Sequence, residues 1–132
     1  MVICPGFKDA ALRLARAGFM AVSFDFPSLP VLRDLEIVME ALMRGEWGVV
    51  PAALGLLGHS MGGAIAVQRA ASDPQVRALV TWATAAGPPP PPVVVSAGQV
   101  RAPWLIVRGD KGERAFELAM NATVDWFAKH LA

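Results

Sequence analysis

Ala53-Leu54-Gly55-Leu56-Leu57-Gly58-His59-Ser60-Met61-Gly62-Gly63-Ala64-Ile65-Ala66-Val67 is the stretch on which the fold turns. The apolar run ending at Leu57 predicts a strand, and the small residues from Gly63 onward predict a helix. Between them stands Gly-x-Ser-x-Gly, the pattern of a sharp strand-to-helix turn that presents a serine as a nucleophile. A Cβ on either flanking glycine would clash with the neighbouring strand or helix. A phosphate-cradling loop does not fit, because no Lys-Ser or Lys-Thr pair follows the glycines. No Gly-x-Gly-x-x-Gly follows the first strand either, which argues against a dehydrogenase.

Outward from this turn, five short apolar runs alternate with helical patterns. Strands are expected at Met1–Cys4, Met20–Phe24, Leu54–Leu57, Ala78–Trp82 and Trp104–Val107. Each run is almost continuously apolar, as parallel strands covered on both faces should be. Helices fit at Asp9–Ala17 before Gly18, at Leu32–Arg44 before Gly45, and at Gly63–Ser72 before Asp73-Pro74. A last helix is expected at about Glu113–Leu131, where Phe116, Met120, Val124, Phe127 and Leu131 form an apolar stripe. Repeated strand and helix imply an α/β fold with a parallel sheet and right-handed crossovers. One crossover breaks the pattern. Gly87-Pro88-Pro89-Pro90-Pro91-Pro92 cannot enter a helix and reads as a stiff connector.

The chain of 132 residues has room for one core, so residues 1–132 are read as one minimal domain. Apolar residues make up 55% and charged residues 17%, which suits a sheet buried on both faces. The formal net charge of +1 gives no electrostatic case for nucleic acid or for an anionic membrane as partner. No apolar run approaches the roughly 18 residues of a membrane-spanning helix. The N-terminus enters strand-like sequence without the basic region and cleavage site of a signal peptide. Cys4 is the one cysteine, which excludes an internal disulfide and favours a reducing, cytoplasmic location. No metal-ligand cluster is present, and no cofactor is expected.

Several stretches together resemble the α/β-hydrolases, close to the single-domain esterase and dienelactone-hydrolase-like branch. They are Pro5-Gly6-Phe7, Gly18 to Phe26, Gly58 to Gly62, Leu105 to Asp110, and the closing run Ala122 to Leu131. The resemblance spans the chain as a condensed version of that family, with the cap shrunk and the last strand missing. It implies a doubly wound, mostly parallel five-stranded sheet with helices on both faces, its strands ordered second, first, third, fourth, fifth. In such sheets ligands bind beyond the carboxyl ends of the strands at the switch point, where Ser60 falls.

The resemblance also assigns roles. Ser60 would attack the carbonyl carbon of a small carboxylic ester and form an acyl-enzyme. The backbone N–H groups of Met61 and Phe7 would make the oxyanion hole. The position of the family's acid is occupied by Gly112, leaving its neighbours Asp110 and Glu113 as substitutes, while Asp110, Asp25 or a water would stand in for the base. The family's histidine loop is gone. His59 precedes the nucleophile and is read as a packing residue. His130 lies seventeen residues into the last helix, ~25 Å from its start, toward the opposite edge of the sheet. Cys4 reads as a buried thiol, and Trp82, Trp104 and Trp126 as core or interface residues.

Three readings compete at this stage. One is a minimal serine esterase with a substituted or incomplete triad. The second is an enzyme completed in trans by His130 or a carboxylate of another copy. The third is a non-catalytic degenerate hydrolase that binds a small molecule. A homodimer is expected in any case. Trp104-Leu105-Ile106-Val107 would otherwise leave an apolar strand edge unpaired.

Overall fold

The computed structural model describes residues 1–25, 32–84, 96–108 and 112–131. The proline run, Asp110 and Phe26 lie outside the described residues. Five strands, β1 (Val2–Pro5), β2 (Ala21–Phe24), β3 (Leu54–His59), β4 (Val76–Trp82) and β5 (Trp104–Val107), form one sheet in the order β2-β1-β3-β4-β5. Every neighbouring pair is parallel. The helices are α1 (Lys8–Arg16), α2 (Leu32–Met43), α3 (Met61–Ser72) and α4 (Glu113–Leu131). The α/β architecture and strand order are those expected from the sequence. The boundaries differ at the decisive turn, where β3 runs on to His59 and α3 starts at Met61, leaving Ser60 alone between them.

The strand pleat divides the core into two layers. Ile3, Leu54 and Leu56 face α2 and α3, where they meet Leu35, Met39, Leu42, Ile65 and Val67. Val2, Leu57, Ala78 and Val80 face the other way, against Leu14 of α1 and Met120 and Phe127 of α4. Each fully buried large side chain contributes about 1.5–3 kcal/mol of transfer free energy. Such side chains stand in both layers, so the sheet is clamped from both faces.

Helix α4 runs antiparallel to the strands, which fixes what sits at each end of the sheet. A Cβ on Gly55, near the start of β3, would lie 2.7 Å from Phe127 and 2.9 Å from Leu131. The close of α4 therefore packs at the edge where the strands begin. Thr123 ties the helix to β4, accepting from the indole N–H of Trp82 at 3.0 Å and donating to the Ala119 carbonyl at 2.8 Å. The tryptophan indoles of β5 and α4 are satisfied as well, Trp104 donating to Thr81 and Trp126 to the Pro103 carbonyl.

Strand β5 is an outer strand, and Ile106 on it is 57% exposed. Trp104 packs against the α2/α3 layer, and Ile106, two residues on and so on the same face, is exposed. This is the edge on which the expectation of a second copy rests.

Candidate active site

Ser60 stands at the end of β3 with φ 54° and ψ −118°. That is a left-handed conformation which non-glycine residues adopt only when surrounding structure holds them there. Here the hold is visible. The Ser60 N–H donates to the Trp82 carbonyl at 2.9 Å, and the Ser60 carbonyl accepts from Gly63 and Ala64 at 3.0 and 3.2 Å. The turn has no room for side chains at its flanks. A Cβ on Gly58 would lie 2.5 Å from the Gly62 carbonyl oxygen and 2.6 Å from the Gly63 nitrogen. A Cβ on Gly63 would land on the Thr84 hydroxyl. Ser60 itself is exposed, and its Oγ has no hydrogen-bond partner among the described residues.

The expected oxyanion donors differ in state. Met61 opens α3, so its N–H belongs to the first turn, which has no intrahelical acceptor. It has no partner among the described residues and carries the positive end of the helix dipole. The Phe7 N–H, by contrast, donates to the Cys4 carbonyl at 3.1 Å. Pro5 and Gly6, the latter at φ 64°, occupy the two central positions of that turn, the residue types a type II turn selects. The amide expected to complete the oxyanion hole is engaged in a β-turn, and the Pro-Gly pair is its physical cause.

The ring of Phe7 is fixed by an aromatic series. It lies 5.3 Å from His59 and 5.0 Å edge-on to Trp82, which meets Phe116 at 5.6 Å. Arg13 lies over Phe116 at 5.9 Å and forms a bidentate pair with Glu117 at 2.6 Å. That hydrogen bond holds the Glu117 carboxyl below its usual range and raises Arg13. His59 is exposed at the surface end of this series. It packs, as expected, but on the oxyanion turn rather than in the core.

The remaining candidates are dispersed. Asp25 is exposed past the end of β2, two strands from β3, and lines a hollow of about 320 Å³ with Lys8, Leu12 and Ser23. At about 4.8 Å per strand its backbone lies roughly 10 Å from the β3 line. Glu113 is exposed at the first position of α4, one turn before Phe116, which packs on Trp82 at the end of β4. His130 is at the far edge: it belongs to the turn of α4 that packs by Gly55, five residues or ~16 Å of strand from Ser60. Its ring lies 4.4 Å from Trp126, and its Nε2 is buried without a partner. Cys4 is fully buried, and burial pushes its thiol up to about 12, so it is no thiolate nucleophile. Among the described residues no group of three His, Cys, Asp or Glu side chains is placed to hold a metal ion.

Sequence reasoning missed Ala83 and Thr84. Ala83 has φ 51°, a second strained residue beside the first. The Thr84 hydroxyl lies 3.4 Å from the carbonyl oxygens of both Ser60 and Trp82. The small side chain of Ala83 is the only hint the sequence offers, and many unstrained positions share it.

A strained serine between a central parallel strand and the helix that follows, at the switch point of a doubly wound sheet, defines an α/β-hydrolase. The chain matches the family model described as serine aminopeptidase, S33, over residues 30–119, and it belongs to that family. Solved structures share the fold. The esterase domain of a Rhodothermus marinus protein superposes with TM-score 0.70 at 16% identity, over 99% of this chain and 86% of that one. A protein described as a hydrolase of the alpha/beta superfamily from Xanthomonas campestris pv. campestris gives 0.63 at 20% identity, over 97% of each chain. The Pyrococcus furiosus esterase Pf2001 gives 0.77 at 10% identity, over 99% of this chain and 83% of that one. Such identities speak for the fold alone. No curated protein matches the sequence.

Proposed function

We propose that this hydrolase acts on small carboxylic esters through an acyl-enzyme on Ser60. The observation that carries the reading is the elbow: a strained, exposed serine oxygen beside a free amide at the start of α3. Ser60 Oγ adds to the ester carbonyl carbon, its proton passing to a base or to water. The oxyanion is received by the Met61 N–H, the alkoxide departs, and water releases the acid. Esters suit the site better than peptides. An amine leaving group must be given a proton as the C–N bond breaks, a task the family performs with histidine. An alkoxide leaves with less help, and His130 belongs to the part of α4 that packs at the edge opposite Ser60. Asp110 is the proposed base, with Asp25, Glu113 or a water as substitutes. An oxyanion hole and binding alone still give ~10³–10⁴-fold acceleration, so weak activity is sufficient for this reading. The lone buried cysteine supports a cytoplasmic location.

One observation favours a second reading, a degenerate hydrolase that only binds. The Phe7 amide is committed to its own turn, which leaves the hole with one ready donor. Labelling with a fluorophosphonate separates the two. The enzyme reading expects covalent modification of Ser60 and hydrolysis of short p-nitrophenyl esters, both lost in Ser60→Ala. Full activity in Ser60→Ala, or an unlabelled parent protein, leaves the binding reading standing.

A further inference from the structure

Because all five strands are parallel, each begins on the same edge of the sheet, the edge opposite Ser60. That edge has an unusual surface. In the loop between α2 and β3, Trp47 is 55% and Val50 57% exposed, with Val49 between them and Met20 half exposed before β2. The other three tryptophans are packed and donate through their indoles. Trp47 has neither a hydrogen bond nor a ring partner among the described residues. Four exposed cations stand at chain ends on the same edge: Arg77 at the start of β4 and Arg101 before β5, with Arg16 at the end of α1 and Lys129 in the last turn of α4 on the α1/α4 face of the sheet. None forms an ion pair among the described residues. Arg77 and Arg101 line one hollow of about 340 Å³. The acids on this edge are mostly neutralised, Glu46 by Arg44 and Asp73 by Arg69, each at 2.9 Å. Asp125, one turn before Lys129, is the unpaired exception.

We propose that this edge docks on an anionic lipid surface. The whole-chain charge of +1 conceals the asymmetry, since a flat surface meets one edge and not the sum. A tryptophan with two valines on a loop suits the headgroup boundary, where an apolar ring with a polar N–H is at home. The cations supply the attraction that holds the loop there, each worth about five-fold in partitioning near a negatively charged leaflet. Among the described residues no helix is long and apolar enough to cross a membrane, so the contact is peripheral. Docked this way, the Ser60 edge faces water. The inference stands whether or not Ser60 is a nucleophile.

Co-sedimentation with vesicles tests it, using phosphatidylcholine alone and with roughly 30% phosphatidylserine at moderate salt. The expected result is binding to the anionic vesicles, several-fold weaker on the neutral ones, that falls as salt rises. Trp47 fluorescence should shift to the blue on binding. Trp47→Ser should lose both signals, and Arg77→Gln with Arg101→Gln should weaken binding about 25-fold, the product of two such factors. All three positions are exposed, so circular dichroism should show each variant folded. Equal binding to both vesicles, no binding, or indifference to the arginine pair overturns the proposal. A dimer in sedimentation velocity that Trp47→Ser splits, without vesicle binding, assigns the edge to a second copy and overturns it equally.

Discussion

Of the joints that lead from strand to helix at the Ser60 edge, two are built to very different tolerances. Between β3 and α3 a single residue makes the passage. It is held by a bond to Trp82, by contacts that exclude any side chain at Gly58 and Gly63, and by the Thr84 hydroxyl. Between β5 and α4 the chain passes Gly112 at φ 121°, where an added Cβ would meet nothing within 4 Å, and enters the helix at exposed Glu113. The first joint is specified by close contacts as well as backbone angle, whereas at Gly112 only the positive φ makes a demand. The nucleophile and oxyanion donor proposed for this chain rest largely on backbone position. A base and its acid, by contrast, need side chains delivered from other elements.

The largest expected effect breaks the tight joint. Gly58→Ala places a methyl carbon 2.5 Å from a carbonyl oxygen and 2.6 Å from an amide nitrogen, backbone atoms that cannot step aside. Overpacking a core with flexible neighbours costs about 1–3 kcal/mol, and here the neighbours are rigid. The variant should therefore lose at least that much stability in urea titration, together with Ser60 labelling. At Gly112 space is no obstacle, and Gly112→Ala meets only the backbone strain of its positive φ, about 1–2 kcal/mol. Should the two variants behave alike, the contrast between the joints is wrong.

That contrast also explains what the sequence disclosed. Strand positions, helix positions and the elbow were legible because apolar runs, helix-closing glycines and Gly58-x-Ser60-x-Gly62 each encode a local backbone demand, whereas the strand order came with the resemblance to the α/β-hydrolases. The state of the Phe7 amide was written in Cys4-Pro5-Gly6-Phe7, whose turn chemistry was overshadowed by the resemblance to an oxyanion loop. Ala83 and Thr84 gave no such signal, because their roles arise from strands meeting across the sheet. The edge proposed to meet lipid was hidden for a related reason: Trp47, Arg77 and Arg101 are far apart in sequence and come to one edge only because parallel strands begin together.

A smaller effect sharpens the reading of strain. Ser60 at φ 54°, ψ −118° occupies a region that glycine visits freely and other residues at a cost of about 1–3 kcal/mol. Ser60→Gly relieves that cost, offset by about 0.4–1 kcal/mol of extra unfolded-state entropy. The variant should be inert yet more stable than the parent by about 1 kcal/mol in urea titration. An unchanged or lower midpoint would mean the elbow stores no strain, and the serine's conformation would then say nothing about function.

The smallest effect is expected where the second joint's helix ends. His130 sits with the part of α4 that packs against Gly55, its ring 4.4 Å from Trp126 and its Nε2 buried without a partner. Removing the ring forfeits an aromatic contact worth about 0.5–1.5 kcal/mol. It also removes a buried unsatisfied nitrogen, which by itself costs about 1–3 kcal/mol. The two nearly cancel, so His130→Ala should leave the urea midpoint little changed. Because ~16 Å of strand separates its neighbourhood from Ser60, fluorophosphonate labelling should stay within a few-fold of the parent. A loss as deep as that of Ser60→Ala would mean that this histidine reaches the nucleophile, and the geometry within one subunit leaves only another copy to bring it. Mixing Ser60→Ala with His130→Ala protein would then restore hydrolysis, and the open edge at Ile106 is where such a pairing would be sought first.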